Sequence, residues 1–449
     1  MRSRRAAFLW LLQKERRELV ASRSWWVLLL AMGPLAGVSF ISAVRTYGEV
    51  SGLNGTAGGV GEAMAPLTGV WAPTFSACEL AAVFLLPFVV IRLAGGDRQN
   101  GTLKLELQQG MPATVLVAAK AIIALAGWLL AMLPPLTALL LWKSYGGTLY
   151  APELATLIAG HVLNAALTIA LGAAMASIAE HPSTAAILTL GVTVGTWILN
   201  FFAAIQGGFW ERVAGYTPAI LVGDFQHGLV RLDAVLIAIA VVLAGLGITA
   251  IWMRLGVAIR RRALESAALL AFAAVAIAGC SHVRGSWDTS ENRGNSFPEA
   301  DERALRQIHQ PLRIEVHLAP EDPRRVELER RALSKLRRVL PDTDVTYVSA
   351  TSIGLFEQTS EGYGEIRYSL GAGKATSRVT TEEGVLETVF SLAGIQPPKE
   401  DDDAVYRGHP LAARPKGAAA VFFGVWPGII VAAAIFERLS RRRGGRIAR

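Results

Sequence analysis

GGDRQNGTLKLELQQGMPATVLVAAK, residues 95–120, lies between two long apolar runs and is too polar over its first half to sit in lipid. It therefore reads as a short loop on one side of a membrane. Asp97 and Arg98 open it and Asn100-Gly101 makes a turn. From Thr102 to Gln109, Leu103, Leu105 and Leu107 alternate with Lys104, Glu106 and Gln108. Gln109-Gly110 and Pro112 close the loop before the next apolar run. A compact amphipathic element bracketed by turns and a rigid return into the bilayer suits a docking surface better than a slack connector.

Composition agrees with a membrane protein. Hydrophobic residues make up 52% of the 449, beyond what a soluble chain of this length carries. The net charge of +8 does not point to nucleic acid, because Lys and Arg gather beside apolar spans instead of forming a stripe interleaved with aromatics. The two cysteines, Cys78 and Cys280, fall in or at the end of apolar runs, so there is no disulfide framework and no zinc-ligand set.

Residues 1–23 are basic, with Phe8, Leu9, Leu11, Leu12 and Val20 as an apolar stripe, and read as an interfacial helix. Runs of roughly 20 apolar residues, enough to cross a bilayer, fall at 25–44, 75–94, 114–142, 154–178, 184–205 and 233–253. Pro34, Pro87, Pro134 and Pro135 inside them are expected to kink their helices without ending them. A seventh run occupies 264–280 and an eighth 418–436. The basic residues of the N-terminal segment, of the 95–113 loop, of Arg254 to Arg262 and of the tail at 438–449 place both termini in the cytoplasm. The end of the seventh run, Ile277-Ala278-Gly279-Cys280, fits two readings. One is a lipobox cut and lipidated at Cys280; the other, favoured by its internal position, is a retained span with small residues at its end.

At the loop the chain resembles the permease subunits of type-2 ABC transporters, through Asp97, Arg98, Gly101-Thr102-Leu103, Glu106, Pro112 and Lys120, with Asp97 where the family commonly has Glu. The Lys14-Glu15 pair is similar to the family's start. The segment 206–233, with Thr217-Pro218, Phe225, Gly228 and Asp233, resembles its extracytoplasmic helices before the last permease span. The resemblance implies a six-helix permease over 24–262, with 95–113 as the coupling loop that takes the push of a separate ABC ATPase. That partner would bind ATP and Mg, with no cofactor on this chain. It also implies a homodimer or a pairing with a related permease, in contact with membrane lipid and without nucleic acid, in a bacterial-type cytoplasmic membrane.

Between the last two spans, 263–281 and 417–437, residues 282–416 turn polar and read as a small extracytoplasmic α/β domain of thioredoxin-like or flavodoxin-like size. Its expected parts are a flexible linker at 286–298, a strand at 312–318, a helix at 320–340, a strand at 345–348, a hairpin of 363–370 with 374–379, and a helix capped by Thr380. Around Ala319-Pro320-Glu321-Asp322-Pro323 it resembles the auxiliary component of gliding-motility ABC systems. The fold class is thus mainly α and polytopic, six permease helices plus two further spans flanking this domain.

No catalytic set is legible. The string Gly371 to Thr376 lacks the first glycine of a phosphate-binding loop and reads as a turn, so ATP hydrolysis would belong to another chain. His309, His317 and His409 are scattered, and the acidic run 400–403 reads as solvated linker. Inside the spans, His161, Asn164 and Thr168 share one helix face and Asn200 lies in the next span; such groups either join helices or line a path. The expectation is an exporter permease subunit, with a membrane scaffold that transmits force without transport as the alternative.

Overall fold

The computed structural model describes residues 2–51, 65–108, 111–206, 208–319, 322–348, 362–397, 415 and 417–447. The Gln109-Gly110 turn, Pro320, Glu321, the acidic run 400–403 and His409 lie outside the described residues. The chain is mainly helical, at 74%, and among the described residues eight helices are long and apolar enough to cross a membrane. They are Arg23–Val50, Leu67–Arg98, Ala113–Ser144, Ala151–Ile178, Pro182–Ala203, Leu232–Met253, Ile259–Cys280 and Ala418–Arg441. Each falls on an apolar run read from the sequence, with ends shifted by up to eight residues, the most at the start of the second span. The prolines act as expected: Pro34 sits inside an unbroken helix, while the second and third spans pause for one residue at Leu85 and Met132, just before Pro87 and Pro134, where the missing N–H removes a rung of the ladder.

The chain divides into two compact units, one of 1–198, 215–289 and 407–449, the other of 199–214 and 290–406. In the first unit, the eighth span docks on the first through a glycine notch. A methyl group added at Gly37 would meet Phe422 at 2.5 Å and one at Gly33 would meet Trp426 at 2.3 Å. Trp426 Nε1 also donates to the Leu29 carbonyl, 2.7 Å. A π-turn over Val421–Val425 aims these two aromatics. The notch, GPLAG at 33–37, has the small-xxx-small spacing that lets membrane helices approach.

Residues 286–298 are not a free linker. Ser286–Asp288 is a strand, β2, paired antiparallel with β1 (Leu229–Arg231), and Phe297 is buried in the core of the second unit. The change of unit therefore falls after Thr289, beyond the composition change at 281. Composition cannot show this, because a three-residue ladder is made by backbone groups whatever their side chains.

The second unit carries a four-stranded sheet, β3 (Leu312–Val316), β4 (Thr343–Tyr347), β5 (Ile366–Leu370) and β6 (Gly373–Ser377), in the order β4-β3-β5-β6. β3 and β4 are parallel; β5 and β6 run antiparallel. Antiparallel β5 and β6 exclude the all-parallel flavodoxin-like sheet and leave the βαβ-plus-ββα order of a thioredoxin-like fold. The alternation in β3 and β5 buries Leu312, Ile314, Val316, Ile366, Tyr368 and Leu370 on one face. Helices Pro323–Leu328 and Ser334–Val339, joined by a π-turn, and Glu382–Ala393 add Leu328, Leu333, Leu336, Val385, Val389 and Phe390. The cap of the last helix is Thr381, which accepts from Gly384 N, one residue later than expected. Gly371 to Thr376 forms the hairpin turn and β6, with no helix following as a phosphate loop needs.

Candidate functional site

The loop at 95–113 is built by a turn and a short helix. Gly101 has φ +75° with open space around it, so glycine is needed there for the left-handed backbone alone. Thr102–Gln108 is helical. The alternating leucines are therefore split by the helical period: Leu103 and Glu106 are buried, whereas Leu105 is 61% exposed. Pro112 then takes the extended conformation that starts the third span.

Glu106 was expected on the docking surface. It instead points into a buried ion cluster drawn from four helices. Lys14 and Glu15 come from the N-terminal helix Arg2–Ala21, Asp97 from the end of the second span, Glu106 from the loop helix and Lys120 from the third span. Lys14 Nζ lies 2.8 Å from Asp97 Oδ1, 3.2 Å from Glu15 Oε1, and against Glu106 Oε1. Lys120 Nζ lies 2.8 Å from Glu15 Oε2 and 2.5 Å from Asp97 Oδ2, and donates to the Leu93 carbonyl at 2.9 Å. Thr102 Oγ1 donates to Asp97 Oδ1 at 2.9 Å, tying the loop turn to the cluster. Arg98 turns away and donates to the Ser177 carbonyl at the end of the fourth span, 2.7 Å.

Glu15 is fully buried and Glu106 nearly so. Burial pushes both carboxyls above the usual range, with Lys120 opposing the shift at Glu15 and Lys14 opposing it at Glu106. Burial works against the charge on Lys14, but the hydrogen bonds it donates to Asp97 and Glu106, with the nearby carboxylate charges, outweigh it and its pKa is raised. Oxygens of Glu15, Asp97 and Glu106 lie within 4.8 Å of one another. Two ammonium groups already occupy the space between them, so the arrangement is an ion-pair cluster and not a metal cage. Lys14, Glu15 and Lys120 are visible in the sequence only as fragments of a resemblance; their convergence depends on helix packing that no local pattern encodes.

A second group forms where the fifth and sixth spans are joined. Pro218 starts the helix Pro218–Gln226. Phe225 packs on Gly160 of the fourth span, where a methyl group would meet it at 2.4 Å. The Gly228 carbonyl, in a left-handed turn at φ +77°, accepts from both Thr289 N and Thr289 Oγ1 at 2.8 Å. Asp233 accepts from Arg231 Nη2 at 2.8 Å and from Tyr216 OH at 3.2 Å, and Arg231 Nη1 lies 3.3 Å from Asp224. All four residues singled out here thus belong to one connected piece.

In the fourth span, His161, Asn164 and Thr168 are all buried on one face. His161 stacks beside Phe75 with ring centroids 5.5 Å apart, and neither ring nitrogen has a hydrogen-bond partner among the described residues. Asn200 falls in the other unit. Gly172, on the same helix, packs on Val90.

No family model matches the chain, and no curated protein or solved structure matches it either.

Proposed function

We propose that the chain is the permease subunit of an ATP-driven type-2 ABC exporter, coupling a separate ATPase to substrate movement. The observation that carries this reading is the charge cluster of Lys14, Glu15, Asp97, Glu106 and Lys120. A loop that only connects two spans has no use for five converging ionisable groups, four of them buried and Lys14 partly so, since removing charges from water is costly unless each is paired. A loop that receives force does: the cluster ties the loop helix to the N-terminal helix and to two spans, so that a push on it moves them together. The exposed side of the loop helix, Lys104, Leu105 and Gln108, is then the surface offered to the ATPase, on the cytoplasmic side with both termini.

The test is reconstitution with the ATPase that co-purifies with the chain. Nucleotide-dependent movement of substrate across vesicles supports the exporter. ATP hydrolysis stimulated by the chain, with no solute moved, would instead establish the force-transmitting scaffold.

A further inference from the structure

The seventh span holds less of the molecule than its length suggests. Ile259–Cys280 is a 22-residue helix, about 33 Å long at 1.5 Å per residue and so matched to the hydrocarbon core. Arg260, Arg261 and Arg262 mark one end and Ile277-Ala278-Gly279-Cys280 the other. Ala273 is its single buried residue, whereas the fourth span buries seventeen. No residue of it joins any of the apolar core clusters. In its first half it meets the sixth span and the residue after it: Trp252 Nε1 donates to Ser266 Oγ at 3.0 Å, Arg254 pairs with Glu265, and Gly247 abuts Leu269. Further on, Phe272 and Val275 are 71% and 72% exposed, and Gly279 has open space around it.

The segment after the helix is held by other means. β2 pairs with β1, Leu232 N donates to the Gly285 carbonyl at 2.9 Å, and Thr289 Oγ1 donates to Thr156 Oγ1 and to the Gly228 carbonyl at 2.8 Å. A break at residue 280 would therefore leave both sides of the cut attached to the membrane unit. Cys78 is the contrast: it is fully buried in the main core, where no reagent or enzyme reaches it.

We propose that Cys280 is a lipid-modification and cleavage site. Its thiol takes a diacylglyceryl group from a phosphatidylglycerol-type phospholipid. The sulfur–carbon bond forms at the glyceryl carbon, the carbon–oxygen bond to phosphate breaks, and glycerol phosphate leaves with the electron pair and the thiol proton. Water then adds across the Gly279–Cys280 amide, hydroxyl to the Gly279 carbonyl carbon and proton to the Cys280 nitrogen. The product is a lipid-anchored chain of residues 280–449, clamped by β1 and β2 to the permease it was made with. The small side chains at 278 and 279 leave the scissile bond accessible, and the basic-then-apolar helix before them has the pattern such processing requires. This rests on the proposed orientation, with Cys280 outside, and not on transport.

The experiment uses the full chain with different tags at its two ends, expressed in a bacterial membrane and fed an alkyne fatty acid. The expected result is a C-terminal fragment that begins at residue 280, carries the label and co-purifies with the N-terminal fragment. Cys280→Ala should give one unlabelled, full-length chain. As a control for orientation, Ser286→Cys in a Cys78→Ala, Cys280→Ala chain should react with an impermeant thiol reagent from outside. A full-length, unlabelled wild-type chain beside a reactive Ser286→Cys would overturn the processing and leave the topology standing. A Ser286→Cys that reacts only after the membrane is opened would overturn both.

Discussion

The two ion clusters of the membrane unit are built to different standards. Arg231, Asp224 and Asp233 keep 16–27% of their side chains exposed, so water screens the cluster and stands ready to replace any lost partner. Around Lys120, Glu15 and Asp97 side-chain exposure is 0–5%, and no water can take over. A cluster of the first kind shapes a surface, while the three groups of the second kind make the N-terminal helix and the second and third spans depend on one another. On the proposed function, the joint that takes up the push is therefore the cluster beside the loop and not the 215–233 segment.

The comparison breaks most visibly at Lys120. Lys120→Met should leave Glu15 and Asp97 with Lys14 as their one remaining cation in the cluster and destabilise the membrane unit by up to about 3–5 kcal/mol, the range for uncompensated buried charge. Thermal unfolding in detergent would show it, and adding Glu15→Gln should recover part of the loss. A smaller effect of about 1–3 kcal/mol, the range for an overfilled core, is expected from Gly37→Leu, which would displace Phe422 and loosen the eighth span without touching either cluster. Arg231→Ala should cost about 1 kcal/mol or less, as partly exposed pairs do. If it matches Lys120→Met, burial does not distinguish the clusters.

Glu106→Gln should be the mildest, changing stability at neutral pH by about 1 kcal/mol or less. Its pH dependence sharpens the comparison. The folded-state carboxyl of Glu106 is raised by burial, so the folded chain binds this proton more tightly than the unfolded chain does. Wild type should therefore gain on Glu106→Gln as pH falls through the raised folded-state value, the gain being complete below the unfolded-state value, and above the raised value the difference should no longer change with pH. An unchanged difference across the range would mean that Glu106 is not desolvated.

Much of the architecture was legible in the sequence, and the failures have a common cause. The eight spans follow from apolar length, and most strands and helices of the second unit from alternation and turns, whereas the order of its strands in the sheet does not. What stayed hidden depends on partners distant along the chain. The notch at Gly33 and Gly37 is filled by residues almost 400 positions away, and β2 is defined only by β1. The loop misled for a local reason: Leu103, Leu105 and Leu107 satisfy a period of two, but the seven-residue helix reads them at 3.6 and sends Glu106 inward. At the candidate site, the residue types were all visible and their convergence was not.

The central claim is that the outer face of the loop helix receives the ATPase while its inner face is locked to the bundle. The most direct measurement is stimulated ATP hydrolysis by the co-purified ATPase in proteoliposomes, comparing wild type with Leu105→Asp, Gly101→Val and Arg231→Ala at equal membrane incorporation. Leu105→Asp places a charge on the exposed face and Gly101→Val strains the left-handed turn, so both should lower stimulation at least tenfold, while Arg231→Ala keeps it. Stimulation and ATPase binding at wild-type levels in both loop variants would contradict the claim.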